Sequence, residues 1–181
     1  MDKLHLGLKA ATAEQHERVD ALMANGLADR RIYTRYLLGM HRLVEALAHA
    51  PSDAAARESW AMWFDRQRLK FLRDDLRKLD ASIDCTDTRL PSPTWWMGAN
   101  YVLEGSALGA RLLLRDAARM RENDPGIPLE FLQHHAQRSD RWPRFLMALA
   151  SVDGSMRSDA QAGARHAFAL VEQALTCEET A

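Results

Sequence analysis

Cysteine is almost absent: Cys85 and Cys177 stand far apart and form no Cys-x-x-Cys pair. That excludes a disulfide framework and a cysteine-based zinc site, and it suits a reducing compartment. Long apolar runs are missing as well, since none approaches the ~18–20 residues a membrane span needs. The opening Met1-Asp2-Lys3-Leu4-His5 has no signal-peptide core. The expected location is therefore cytoplasmic, with no membrane partner. Neither charge sign dominates: 24 basic residues face 25 acidic ones, a net charge of -1. Such a balance argues against a nucleic-acid partner, and the arginines from Arg138 to Arg144 amount to a local patch. Glycine (9) and proline (6) are scarce, and β-branched alternation is nearly missing, so half-buried strands are not expected.

What remains is helix. Hydrophobic residues make up 47% of the 181, which is enough for one core without a structural metal. The expected architecture is all-α, a single-domain multi-helix bundle over residues 1–181 with about seven helices. A first helix from Leu4 to about Ala24 carries Leu8, Ala11, Val19, Leu22 and Met23 on one face, and Asn25-Gly26 stops it. A second starts near Arg30, buries Tyr33, Tyr36, Leu37, Met40, Val44 and Leu47, and ends before Pro51. Ser52 is the expected N-cap of a third, running through Trp60, Phe64, Phe71, Leu72 and Leu76. After the breaker-rich stretch from Asp80 to Pro93, a fourth helix spans Thr94 to about Met120. Short helices at Pro128–Gln137 and Arg141–Val152 and a last one at Met156–Cys177 complete the series.

Two places can carry chemistry. His16 sits on the apolar stripe of the first helix, where a neutral imidazole can ligate a metal through one nitrogen and donate through the other. A histidine in such a place is more often a hydrogen-bonded core residue. The fourth helix holds Gly98, Gly105 and Gly109, each costing ~1 kcal/mol relative to alanine. Gly105 and Gly109 bare the backbone on one face, for close helix packing or for a flat ligand. Ser106 beside them can compete for main-chain carbonyls and assist a bend. A histidine facing a bared helix makes a slot with one axial ligand, suited to an iron porphyrin with an open position for dioxygen. Lys9, two turns before His16 on nearly the same face, can pair with a propionate, and Arg138, Arg141 and Arg144 are further candidates.

The stretch Leu8-Lys9-Ala10-Ala11-Thr12-Ala13-Glu14-Gln15-His16 resembles the proximal helix of heme oxygenases. The stretch from Gly98 to Ala110, with Tyr101-Val102-Leu103-Glu104-Gly105-Ser106 at its centre, is similar to the distal helix of the bacterial members, especially those associated with bacterial phytochromes. Tyr33-Thr34-Arg35-Tyr36-Leu37 and Trp142-Pro143-Arg144-Phe145 fall in matching order, so the resemblance covers nearly the whole chain. It implies His16 as iron ligand and Gly105, Ser106 and Gly109 at the reacting face. It further implies Lys9, Tyr101 and Arg141 or Arg144 around the heme. The implied reaction opens the heme ring with dioxygen and electrons, giving biliverdin, carbon monoxide and ferrous iron. The implied donor is a ferredoxin, a flavoprotein reductase or a small reductant, and a bacterial phytochrome is an implied recipient of biliverdin. Two departures stand out: Gly109-Ala110 replaces a Gly-Gly pair, and no aspartate occurs between Thr94 and Arg115, where animal-type enzymes carry one. Glu104 is expected to lie in a second layer or at the surface.

Other readings compete. A non-catalytic heme or bilin binding protein would look identical in sequence. A di-iron carboxylate bundle needs Glu-x-x-His motifs, whereas Glu45/His49 and Glu130/His134 are spaced by four. An interaction module without ligand would use His16 and the glycines for packing alone. His134-His135 are expected to be solvated, and His41 and His166 carry no assigned role.

Overall fold

The structure, a computed structural model, describes residues 3–49, 61–83 and 90–177. Within them lie α1 (Lys3–Ala11), α2 (Ala13–Leu22), α3 (Arg30–Ala48), α4 (Arg66–Lys78), α5 (Pro93–Asn123), α6 (Glu130–Gln137), α7 (Arg141–Ala150) and α8 (Arg157–Thr176). Short 3-10 turns occupy Ala61–Trp63, Arg138–Asp140 and Gly154–Met156, and no strand occurs among the described residues.

The expected first helix is two. Thr12 donates its hydroxyl to the Leu8 carbonyl at 2.9 Å, and its own backbone N–H reaches the same oxygen at 3.1 Å. This back-bonding from a buried threonine bends the helix there. Asn25-Gly26 does end the segment, with Gly26 at φ +64. A side chain at Gly26 would collide with Asp116 of α5, so the turn needs glycine for space as well as for conformation. The expected third helix is also interrupted. Asp65 accepts from the Gln67 N–H and caps a new start, leaving Phe64 outside α4. Ser52 and Trp60 lie outside the described residues. Helix α3 buries every position expected of it, and Asp29 caps it by accepting from Ile32 N–H.

Helix α5, with Ser92 as cap and Pro93 in its first turn, is about 46 Å long. Its N-terminal half crosses α8 at very close range. A Cβ built on Gly98 would lie 1.9 Å from the Ala160 carbonyl oxygen, and one on Gly163 would lie 2.1 Å from the Trp95 oxygen. Gly39 of α3 approaches Val171 in the same manner. Helix α8 is thus wedged between α3 and α5 on a stripe that includes Ala160, Ala164, Ala167 and Ala174. Gly98 therefore serves helix packing. Helix α1 lies on α7 and α8, α2 lies on α8, and α6 fills the angle between α4 and α5.

Candidate functional site

Helices α1 and α2 form a bracket beside α5. At one end the His5 ring lies 5.8 Å from the Tyr101 ring and 6.0 Å from that of Trp142. At the other, Leu27 N–H donates to Asp116 Oδ2 at 3.3 Å. Between these ends the bracket is held on α8, by Gln161 Nε2 donating to the Gly7 carbonyl and by Arg18 paired with Glu172 at 2.7 Å. His16 lies equally far along the chain from His5 and Leu27. On α5, the midpoint between Tyr101 and Asp116 falls at Leu108–Gly109.

Neither stretch is fully covered. No residue of α2 is fully buried: Val19, and Met23 just past its end, pack against the core half-buried, while Leu22 is exposed. The His16 side chain is 62% exposed, which places it outside the core. Its Nδ1 lies 2.9 Å from Asp20 Oδ2, and its ring meets Phe168 of α8 edge-on at 5.7 Å. With Nδ1 engaged, Nε2 is the nitrogen left to a metal. On α5, a Cβ on Gly109 would meet nothing within 4 Å. Leu108 and Leu112, on the same face, are 52% and 62% exposed. A depression of about 500 Å³ continues along this face, lined by Leu112, Arg115, Asp116 and Arg119, within the size range of ligand sites. Gly105 differs from Gly109, since Trp142 of α7 covers it at 3.3 Å.

The other expected site residues divide. Lys9 and Arg144 are exposed and free to reach an anionic group. Tyr101 is buried among His5 and Trp142, and burial raises its phenol above the usual range. Arg141 is committed elsewhere. Its Nε donates to Glu104 Oε2 at 3.1 Å, its Nη2 to the Trp63 carbonyl at 2.6 Å, and its guanidinium lies over the Trp63 ring. Ser106 donates to the Leu103 carbonyl at 2.8 Å and meets His135 Nε2 at 2.9 Å.

Several expectations are overturned here. Of the two places expected for Glu104 the surface is excluded: it is fully buried, paired with Arg68 at 2.7 Å as well as with Arg141, because α4 and the first residue of α7 deliver two guanidiniums to that point. His135 is fully buried and stacked on Phe131. Burial, followed by the nearby Arg68, His134 and Arg141 charges, holds it well below the ordinary imidazole range. His134 is largely buried too, with Nε2 at 2.9 Å from Asp65 Oδ2. Both histidines occupy the α4–α6 seam and neither is solvated. Asp20, Arg68 and His135 escaped the sequence reading. The i,i+4 spacing of His16 and Asp20 was available as a signal, whereas the other two depend on which helices meet. No group of three or more metal-ligating His, Cys, Asp or Glu side chains occurs among the described residues, so the di-iron reading finds no constellation.

No family model matches the chain. A curated protein named heme oxygenase, from Xanthomonas campestris pv. campestris (strain 8004), is 31% identical over 168 residues, covering 86% of this chain and 96% of the relative. Among solved structures, the NO- and CO-bound heme oxygenase of Neisseria meningitidis shares the fold with a TM-score of 0.71 at 23% identity, over 98% of this chain and 94% of that one.

Proposed function

The chain belongs to the heme oxygenase family, and from that premise we propose that heme would be seated between α2 and α5, with His16 holding its iron. The protein is an oxidoreductase that opens the heme ring with dioxygen and electrons, giving biliverdin, carbon monoxide and ferrous iron. Heme is its substrate and its iron-bearing cofactor. Family membership thereby decides for turnover over a non-catalytic carrier.

What supports the seating is an imidazole left 62% exposed on α2, together with a glycine on α5 whose backbone nothing covers. The residues present fit a flat apolar group: His16 Nε2 would hold its iron, and the bare backbone at Gly109, flanked by the exposed Leu108 and Leu112, would receive the ring. When bound, heme supplies the iron that activates dioxygen and the ring carbon that is oxidised. Asp20, 2.9 Å from His16 Nδ1, orients the ring so that Nε2 is the nitrogen presented to iron. Leu108 and Leu112 exclude water from the ring face. Gly109 lets the main chain come close without a side chain in the way. Lys9 and Arg144 pair with the propionates. Arg141, bound to Glu104, steadies the wall behind Trp142 in place of the heme-binding role first expected of it. Gly105 and Tyr101 shape that wall from α5.

The whole chain is read as one heme oxygenase domain. No described helix is long and apolar enough to cross a membrane, and a cytoplasmic location fits the low cysteine content. The electron donor is a ferredoxin, a flavoprotein reductase or a small reductant. The block from Tyr101 to Ala110 supports kinship with the phytochrome-associated members, and hence a bacterial phytochrome as recipient of biliverdin.

The test is optical. Wild type mixed with hemin should give a sharp stoichiometric Soret band, which ascorbate in air should replace with biliverdin absorbance. His16→Ala should lose turnover with its helical circular dichroism intact, because an exposed side chain contributes little to the fold. Wild-type turnover by that variant would remove His16 from the role.

A further inference from the structure

Helix α2 has no fully buried residue, yet it is pinned to one place along α8. Two contacts do the pinning. Gln161 Nε2 donates to the Gly7 carbonyl at 3.1 Å, and Arg18 pairs with Glu172. In both pairs the partners stand 154 residues apart in the chain. The α1–α2 bracket and α8 therefore run side by side in the same direction and hold a single register. His16 lies between the two pins. A slip of one helical turn would carry it about 5.4 Å along α8.

The second pin has a specific geometry. Arg18 Nε donates to Glu172 Oε1 at 2.7 Å, and its Nη2 donates to Oε2 at 3.2 Å. Both carboxylate oxygens thus face one guanidinium, a fork that fixes direction as well as distance. Arg18 also has a nearer acid on its own helix, since Glu14 stands four residues before it. It reaches across to α8 instead. Glu172 in turn lies four residues after Phe168, so the two side chains share one face of α8. Phe168 meets the His16 ring edge-on, with centroids 5.7 Å apart and planes at 69°.

An imidazole that is 62% exposed has little packing to select its direction. The contacts that orient it are Asp20 at Nδ1 and Phe168 at the ring. A metal-holding side chain has to stay within about 0.5 Å and 10–20° of its working geometry. On a helix without a buried face, that precision has to come from the neighbouring element.

We propose that Phe168 and Glu172 form a seat on α8 that positions His16. Glu172 fixes the α2 backbone through Arg18, and Phe168 sets the angle of the imidazole. Arg18, Phe168 and Glu172 are positioning residues, each acting through His16. The positioning role rests on His16 as the iron-holding residue proposed above. The anchoring of α2 by Arg18 and Glu172 does not.

The anchoring is read in heme-free protein by amide hydrogen exchange. Glu172→Ala should speed exchange across Ala13–Leu22 by roughly 2–5-fold, the range of an exposed ion pair, and leave α3 unchanged. Arg18→Glu should do the same, and the charge-swapped Arg18→Glu/Glu172→Arg should restore the wild-type rates. Exchange in α2 unchanged by Glu172→Ala overturns the anchor. The positioning is read with hemin bound. Glu172→Ala and Phe168→Leu should each weaken hemin binding by roughly 2–5-fold and shift the iron–histidine stretching band of the reduced protein. Phe168→Tyr keeps the ring edge and should return the wild-type band. Wild-type affinity and an unshifted band in both Glu172→Ala and Phe168→Leu overturn the seat, even where α2 exchanges faster. Wild type that binds hemin without an iron–histidine band would instead remove His16 from its role, and the exchange rates would still decide the anchor.

Discussion

Arg68 Nη1 lies 2.7 Å from Glu104 Oε1, and neither side chain has any exposed surface. The pair joins α4 to α5, and Arg141 closes it from the start of α7. A buried ion pair contributes little net stability against a well-packed apolar pair, but breaking it strands a charge. Arg68→Met should therefore cost about 3–5 kcal/mol, read as a lowered urea midpoint. The double variant Arg68→Met/Glu104→Met should recover a large part of that loss. A single variant as stable as wild type would mean that the pair is solvated.

The interior glycines of α5 should respond in opposite directions. At Gly98 an added methyl meets the Ala160 carbonyl at 1.9 Å, so Gly98→Ala must push α8 away and should lower the melting temperature by several degrees or more. At Gly109 the methyl enters open space. Gly109→Ala should leave the heme-free chain as stable or up to ~1 kcal/mol more so, through helix propensity. The same variant should weaken hemin binding and slow ring opening. Normal turnover by Gly109→Ala would show that the heme does not lie on that backbone.

Asp20 should matter to His16 more than to the fold. Both side chains are exposed, so their pairing at 2.9 Å is worth little to stability. A partner that orients a metal-ligating imidazole typically carries about 10–100-fold in affinity or activity. Asp20→Ala should weaken hemin binding within that range, measured by titration of the Soret band, and leave the thermal melt unchanged. An unaltered titration would assign Asp20 to the surface alone.

The α4–α6 seam should make stability depend on pH. Burial, then the neighbouring Glu130 carboxyl, pushes Asp75 up to about 7. The Asp75 carboxyl in turn is the main cause that takes Glu130 down to about 2. A carboxyl raised in the folded state contributes stability that is complete below its unfolded pKa and is lost as pH rises through about 7. Glu130 works in the reverse sense: its contribution is present above its unfolded pKa and is lost as pH falls toward about 2. The melting temperature should thus peak at roughly pH 4 and decline as pH rises from there to about 7. Asp75→Asn keeps an acceptor for Phe131 N–H and should flatten that decline. Parallel losses over this range in the two proteins would exclude Asp75 as the group.

Much of this was legible beforehand for a local reason. Helix existence follows from period and breakers, so α3, α5 and α8 appear close to where the pattern of Tyr33 to Leu47, the run after Pro93 and the run after Met156 put them. Places where a side chain competes with the helix were harder. Thr12 bends the first helix by bonding to Leu8, and Asp65 restarts the third as an N-cap, although each lies in a run whose apolar spacing reads as continuous. The exposure of Leu22 has another cause. Apolar periodicity says that a face seeks cover, and it does not say how much of that face the neighbouring helix reaches: on α8 the cover extends to Val19 and Met23 in part and leaves Leu22 outside.

The sequence alone determined an all-helical chain, the His16 and Gly105–Gly109 candidates and the kind of ligand they suit, because these depend on residue type and on spacing within one segment. Only the tertiary structure decided that Gly98 packs while Gly109 stays open, that Arg141 is spent on Glu104, and that His135 is buried against Ser106. Each of those outcomes depends on which helix lies opposite, and partners brought together from distant segments leave no spacing in the chain to read.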